Sequence, residues 1–218
     1  HVVAMEVSAS SDEIEASLDA LYQLGKRVTR IQQSDSGAAI DVTQSVFESR
    51  ASVLGKIDSG YSVRMTGVAA AKALSYAMNS RVASLSVADT GKNLVANWGA
   101  LRSIGATVAG VSKTDDGSLS LSAAHYLAGQ SDGLTARFDA AQRFSVTAAS
   151  VAQSLQLVTD DAVDRIDLVD DGSAVAEKIT ELADLVTGGK LASLALNNGA
   201  TSVALHGGQL DGAQGVLD

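Results

Sequence analysis

The stretch Val82–Val108, VASLSVADTGKNLVANWGALRSIGATV, decides the fold, because its apolar pattern occurs three times in the chain. From Leu94 onward its apolar residues follow the spacing of one buried helix face. Matching apolar residues stand 80 positions earlier and 81 positions later. The three sets are Leu94, Trp98, Leu101, Ile104 and Val108; Ile14, Leu18, Leu21, Leu24 and Val28; and Val175, Ile179, Leu182 and Leu185. One helix face that occurs three times predicts a repeat protein.

Strand-like segments with alternating apolar residues precede the predicted helices. The segment beginning at Tyr61, YSVRMTGVAAAKALSYAMNS, matches FSVTAASVAQSLQLVTDD from Phe144, an offset of 83 that aligns Val63 with Val146 and Leu74 with Leu157. Eight helices are predicted, near 11–25, 43–57, 67–79, 90–105, 122–138, 148–160, 171–187 and from about 206. Strand and helix in alternation, with short connections, predict parallel strands and right-handed crossovers.

Two architectures satisfy this pattern, an open doubly wound sheet and a superhelix of strands and helices. Three similar periods favour the superhelix, since every copy then meets the same neighbours. We therefore predict an α/β repeat solenoid of parallel β-strands and α-helices, with about eight β-α units in three periods of roughly 80 residues. Residues 1–218 form a single repeat domain with periods of approximately 1–80, 81–161 and 162–218. Because the pattern is cut at both ends, we expect a fragment of a longer array.

Composition excludes several classes of protein. Hydrophobic residues make up 46% of the chain and aromatic residues only 4%, so the core is expected to be aliphatic. The net charge is -9 and no basic patch is present, which argues against a nucleic-acid partner. The absence of Cys excludes disulfides, Cys-ligated zinc and thiol nucleophiles. No apolar run reaches about 18 residues, so no membrane span is predicted.

Carboxylates that follow the predicted strands are the candidate metal ligands. They are Asp89, Asp115, Asp116, Asp170 and Asp171, with Asp35 in a similar place. Carboxylates along one sheet edge suit calcium, which takes six to eight oxygen ligands. Each also stands where a helix N-cap or a tight turn requires such a residue, and the sequence favours that interpretation. Neither an EF-hand loop nor a glycine-rich calcium nonapeptide is present, and no other cofactor is predicted.

No set of residues has the pattern of an active site. The histidines His1, His125 and His206 lack metal-ligand spacing, and no GxSxG motif is present. The motif ADTGKN at 88–93 lacks the glycine and lysine spacing of a phosphate loop. Four carboxylates suit a glycosidase pair or a solvated helix end equally well: Asp160, Asp161, Asp164 and Asp167. We therefore predict that the chain is not an enzyme.

The motif VADTGKNLVANWGAL at 87–101 resembles a repeat common in large exported bacterial proteins. SASSDEIEASLDAL and VDDGSAVAEKITEL are looser copies of the same motif. The resemblance implies a cell-surface, adhesin-like or type I-secreted array of β-α repeats. It therefore implies a secreted or cell-surface location and, as partners, other protein copies or extracellular surface ligands.

The function predicted from the sequence is a non-enzymatic structural or interaction segment that serves as a spacer, in adhesion or in assembly. One alternative is an extracellular polysaccharide-binding or polysaccharide-active module, which requires tyrosines clustered on one exposed face. The candidates are Tyr22, Tyr61, Tyr76 and Tyr126. Another alternative is a self-assembling filament or surface-layer subunit.

Overall fold

A computed structural model describes residues 4–35, 37–58, 60–197, 202–206, 209 and 216. The chain divides into two compact units, residues 1–114 and 115–218, whose boundary lies in an exposed turn at 114–117. Every strand pair in the described ranges is parallel. The α/β class with parallel strands is therefore confirmed.

The first unit contains two parallel sheets in its described part. Its elements are β1 (Met5–Ala9), α1 (Ser11–Leu24), β2 (Val28–Gln33), β3 (Ala39–Thr43), α2 (Gln44–Ser49), α3 (Ala51–Leu54), β4 (Ser62–Val68), α4 (Ala70–Ala77), β5 (Val82–Asp89), α5 (Gly91–Ala96), α6 (Trp98–Ile104) and β6 (Val108–Lys113). Strands β1 and β2 form one sheet, and the other has the order β3-β4-β5-β6. A single parallel bridge also joins Ile31 of β2 to Ile57.

The second unit contains one four-stranded parallel sheet in its described part. Its elements are β7 (Leu119–Ser122), α7 (Ala123–Ser131), β8 (Phe144–Ala149), α8 (Val151–Gln156), β9 (Val163–Asp170), α9 (Gly172–Glu177), α10 (Ile179–Thr187) and β10 (Leu191–Leu196). The sheet has the order β7-β8-β9-β10, which again follows the chain. The eighth predicted helix, from about 206, falls largely on residues outside the described ranges.

The predicted helix faces form the core. Nearly all of their apolar residues are buried, which confirms the 3.6-residue pattern. The buried helix positions are Ile14, Leu18, Leu21, Leu94, Trp98, Leu101, Val175, Ile179, Leu182 and Leu185. Val28 and Val108 are also buried, but they are the first residues of β2 and β6 and do not belong to the helix face. The two exceptions, Leu24 and Ile104, are half-buried at the last residue of their helices.

Three helices predicted as continuous are each broken in two. The breaks lie at Arg50, Asn97 and Lys178, whose φ angles are -108°, -109° and -113°. These backbone angles lie outside the helical region, so the regular helix is interrupted at each of these residues. The helix predicted over 122–138 also ends early, at Ser131, because Gly133 adopts a left-handed φ of 72°.

The predicted offset of 83 between the Tyr61 and Phe144 segments is wrong. Val63 of β4 pairs with Val82, the first residue of β5. Val163 holds the same place in β9, and its partner is Phe144 of β8. Val146 therefore corresponds to Met65, and the offset is two residues too large. Residues at Leu74 and Leu157 are likewise not equivalent, since Leu74 is 42% exposed and Leu157 only 1%.

Candidate functional site

The carboxylates at the ends of β5 and β9 bind the first turn of the helix that precedes each strand. Oδ2 of Asp89 accepts a hydrogen bond from the N–H of Ala70, the first residue of α4, at 2.9 Å. Oδ2 of Asp170 accepts one from the N–H of Val151, the first residue of α8, also at 2.9 Å. The first N–H groups of a helix have no partner within it, so each carboxylate stabilises a neighbouring helix start.

The second oxygen of each carboxylate binds local donors. Oδ1 of Asp89 accepts from the N–H of Thr90 at 2.8 Å and from the side-chain amide of Asn93 at 2.7 Å. Oδ1 of Asp170 accepts from the N–H of Asp171 at 2.9 Å. Both oxygens of both carboxylates are therefore engaged by hydrogen-bond donors.

Thr90 and Asp171 are the N-caps of α5 and α9, as the capping interpretation predicts. Oδ1 of Asp171 accepts from the N–H groups of Ser173 and Ala174 at 3.0 and 2.9 Å. The Ser173 hydroxyl also donates to Oδ1 at 2.5 Å. These bonds hold the pKa of Asp171 below its usual value, and the bond from the Ser173 hydroxyl has the largest effect.

The remaining candidates lie in turns. Asp115 and Asp116 are exposed in the turn at 114–117. Asp35 follows β2, and its two oxygens accept from the N–H and hydroxyl of Ser11 at 2.8 and 2.6 Å. The bond from the Ser11 hydroxyl lowers the pKa of Asp35. Asp35 thus supports the start of α1, the helix before β2.

The structure does not bring the candidate ligands together. Within the described ranges, no group of three or more His, Asp or Glu side chains is placed to hold a metal ion. His125 lies at the exposed start of α7, where its N–H donates to the Ser122 hydroxyl. His206 donates its N–H to the side chain of Gln209 at 2.8 Å, and His1 lies outside the described residues.

A cleft of about 660 Å³ lies beside the start of α9. It is lined by Asp171, Gly172, Ser173, Ala176, Glu177, Ser202, Ala204, His206 and Gln209. The side-chain amide of Gln209 crosses it to donate to the carbonyl of Ala176 at 2.5 Å. The Asp171 carboxylate on its wall is already the cap of α9, and the opposite wall is formed by Ser202, Ala204, His206 and Gln209.

Asp160 is the centre of a polar cluster that the sequence did not predict. Oδ2 accepts from the hydroxyl of Tyr126 at 2.7 Å and from the side-chain amide of Gln130 at 3.1 Å. Lys190 donates to the Asp160 carbonyl at 2.7 Å. Burial, and then the bond to Asp160, raise the pKa of Tyr126. The cluster joins α7 to the loop before β9, and its role is therefore structural.

The other glycosidase candidates are surface residues. Asp164 accepts from the Ser118 hydroxyl at 2.6 Å, and Asp167 accepts from the Ser193 hydroxyl at 2.8 Å. Asp161 is exposed and begins the approach to β9. Asp164 and Asp167 therefore have hydroxyl partners on neighbouring segments of the second unit.

The tyrosines do not form one exposed face. Tyr61 and Tyr126 are buried, at 7% and 1% exposure. Arg81 lies over the Tyr61 ring, and Tyr126 packs edge-on against Phe144. Tyr22 is 42% exposed, and the Arg50 guanidinium lies over its ring, 4.3 Å from the ring centre.

No protein-family model matches this chain, and no curated protein matches its sequence. Among the described residues, no helix combines the length and the apolar character that crossing a membrane requires.

Proposed function

We propose that the chain is a non-enzymatic structural or interaction segment, built of parallel β-α repeats and belonging to an exported surface protein. Its role is that of a spacer, an adhesive surface or an assembly unit. The observation that carries the proposal is the use of Asp89 and Asp170 as caps of neighbouring helices. Two of the carboxylates that the sequence offers as metal ligands thereby stabilise helix starts.

Local geometry that recurs at a fixed spacing supports the repeat. Asp89 and Asp170 are 81 residues apart, and so are their donors Ala70 and Val151. The same spacing separates the helix breaks at Asn97 and Lys178. Strand order in both four-stranded sheets follows the chain without the reversal of a doubly wound fold, which favours the superhelix.

An exported, surface location is supported by the composition and by the motif at 87–101. A chain without Cys has no thiol to oxidise outside the cell. The polysaccharide alternative is weakened by the burial of Tyr61 and Tyr126, since sugar-stacking rings must be accessible.

Duplicating one period tests the repeat architecture. In a variant with a second copy of residues 82–162 inserted after residue 162, Ala162 precedes the added Val82, as Ala162 precedes the equivalent Val163 in the parent chain. In a solenoid the added period meets the neighbours it already has, so we expect cooperative unfolding at a temperature equal to or above that of the parent chain. An insertion variant that is insoluble, or that melts well below the parent, contradicts the proposal.

Calcium and glycan assays test the non-enzymatic role. Because the strand-end carboxylates have hydrogen-bond partners, we expect the melting temperature to be the same in 5 mM calcium and in EDTA, ~5 mM being far above a sensor-type Kd. We expect no release of reducing sugar from polysaccharides of varied linkage. A calcium-dependent rise in melting temperature, or catalytic turnover, contradicts the proposal.

A further inference from the structure

A small cavity in the first unit lies beside α2, α3 and the turn before β5. Its volume is about 280 Å³, which is close to the lower end of the range for ligand sites. The residues that line it include Phe47, Ala51, Leu54, Tyr61, Asn79 and Arg81. Phe47 is half-buried, while Leu54 and Tyr61 are buried. The cavity therefore has an apolar wall, and Asn79 and Arg81 form a polar wall.

The polar wall offers hydrogen-bond donors. Nη1 of Arg81 donates to the Tyr61 hydroxyl at 2.5 Å, and the guanidinium lies over the Tyr61 ring, 4.4 Å from the ring centre. A guanidinium carries five N–H groups, and this hydroxyl is its one acceptor among the described residues. Oδ1 of Asn79 accepts from the backbone N–H of Arg81 at 3.0 Å, which leaves the amide nitrogen of Asn79 to donate elsewhere. Both side chains thus have N–H groups for an acceptor that enters the cavity.

Strand pairing aligns this part of the first unit with the second unit. In each unit, three paired residues form a row across the sheet. The rows are Ile40, Val63 and Val82 in the first unit, and Leu119, Phe144 and Val163 in the second. Counted from these rows, the equivalent pairs are Phe47 and Tyr126, Ala51 and Gln130, Asn79 and Asp160, and Arg81 and Ala162. Local contacts support the alignment, because Oδ1 of Asn79 and Oδ1 of Asp160 each accept from the N–H two residues later at 3.0 Å.

The equivalent residues of the second unit form a closed polar cluster. Oδ2 of Asp160 accepts from the Tyr126 hydroxyl and the Gln130 amide, and Tyr126 is 1% exposed. In the first unit, Phe47 and Ala51 lack both donors, and Asn79 lacks the negative charge. Arg81 adds a cation where the second unit has Ala162. The first unit therefore has a cavity with donors on its wall where the second unit has an internal carboxylate and its donors.

We propose that this cavity binds a small organic carboxylate with an aromatic body. The carboxylate accepts from Arg81 and Asn79, and charge-assisted bonds of this kind are stronger than neutral ones. The ring packs against Phe47 and Leu54, where aromatic contacts add to apolar burial. The ligand thus supplies to the first unit the negative group that Asp160 supplies to the second. This inference goes beyond the proposed function, because neither a spacer nor an assembly unit requires a small-molecule ligand.

The experiment is an NMR titration of the isotope-labelled full chain with phenylpropionate. We expect saturable shifts of the backbone signals of Phe47, Asn79 and Arg81, with a Kd of ~1 mM or tighter. Two further probes separate the parts of the ligand, since phenylpropionamide lacks the charge and propionate lacks the ring. Each is expected to bind at least tenfold more weakly than phenylpropionate.

Two variants test the wall of the cavity. Arg81→Gln removes the cation and is expected to weaken the binding of phenylpropionate at least tenfold. The double variant Phe47→Tyr with Asn79→Asp installs the hydroxyl and the carboxylate of the second unit. We therefore expect it to lose binding while its melting temperature equals or exceeds that of the parent. Arg64→Gln is the matched control, because it removes an exposed arginine that is paired with Asp41, and it is expected to bind as the parent does.

The absence of saturable shifts at the cavity of the folded parent overturns the proposal, as do shifts confined to residues elsewhere. Equal binding of phenylpropionamide or propionate overturns it as well, and so does unchanged binding to Arg81→Gln or to the double variant. Circular dichroism verifies that the variants fold. If a variant does not fold, the comparison of the three probes on the parent chain decides. The duplication experiment reads out the repeat itself, so failure of this site and failure of the proposed function are distinguishable.

Discussion

Asp89 holds the amino end of α4 through the N–H of Ala70, although the two residues are 19 positions apart in the chain. We predict that Asp89→Ala lowers the free energy of unfolding by about 1–2 kcal/mol, since the variant loses a cap and leaves a partly buried N–H without an acceptor. Urea denaturation followed by circular dichroism measures the loss. Asp170→Ala is the matched variant in the second unit, and an unchanged midpoint for both contradicts the capping role.

Ser154 is fully buried, and its hydroxyl has no hydrogen-bond partner among the residues that the structure describes. The corresponding residue of α4 is Ala73, which is also fully buried. We predict that Ser154→Ala raises the free energy of unfolding by about 1 kcal/mol, because it removes the desolvation cost of an unsatisfied hydroxyl. The reverse change, Ala73→Ser, is expected to lower stability by a similar amount. A urea midpoint that falls in Ser154→Ala, or rises in Ala73→Ser, contradicts the assignment.

Ala148 adopts a φ of 52° at a position where β4 has Gly67. An L-residue with a side chain is strained in this left-handed region, whereas glycine is not. We predict that Ala148→Gly leaves stability unchanged or raises it by up to about 1 kcal/mol, and that Gly67→Ala lowers it by about 1 kcal/mol. Thermal melting of the two variants provides the comparison, and a stabilised Gly67→Ala variant contradicts this account.

We predict that tyrosine ionisation lowers the stability of the fold at high pH. Burial and the bond to Asp160 raise the pKa of Tyr126, and burial with the bond to Glu48 raises the pKa of Tyr76 to about 12. Above a pH of about 10, the unfolded chain releases tyrosine protons that the folded chain retains, so stability falls as the pH rises. Urea midpoints measured between pH 7 and 11 test this decline. Tyr126→Phe is expected to flatten the decline, and an identical slope in this variant contradicts the assignment.

Two leucines on helices of the first unit form a matched pair for the core. Leu101 is fully buried in α6, and Leu74 in α4 is 42% exposed. We predict that Leu101→Ala costs about 2–5 kcal/mol of stability, while Leu74→Ala costs under about 1 kcal/mol. Equal urea midpoints for the two variants contradict the assigned helix face.

The helix faces were predictable because burial of one face places apolar residues at intervals of about 3.6 residues, which can be read directly from the sequence. Leu94, Trp98 and Leu101 lie where the 3.6-residue spacing placed them, and all three are at most 1% exposed. The break at Asn97 was not predictable, because the sequence around it contains no proline and continues the helical spacing of apolar residues.

The strand alignment failed for a physical reason. Strand side chains alternate with a period of two, so a shift by two residues preserves every inward and outward position. Aligning Val63 with Val146 instead of Phe144 therefore gave an equally regular pattern. Only the pairing with Val82 and Val163 distinguishes the two alignments, and pairing is a long-range property.

Capping at the candidate site was predictable in kind but not in partner. Asp171 begins its own helix, as local chemistry indicates. Asp170 binds the helix before its strand, and the sequence holds no local signal for that bond. The Tyr126 and Asp160 pair was missed for the same reason, since 34 residues separate the two side chains.

A helix cap that is supplied by a later strand imposes an order on folding from the amino end to the carboxyl end. As the polypeptide emerges from the ribosome, α4 is complete before Asp89 is available to it. One N–H at the start of each such helix, that of Ala70 or Val151, lacks its carboxylate acceptor until the next strand arrives and pairs. Folding during synthesis is therefore expected to trail the emerging end by one strand, because each arriving carboxylate completes the start of the preceding helix.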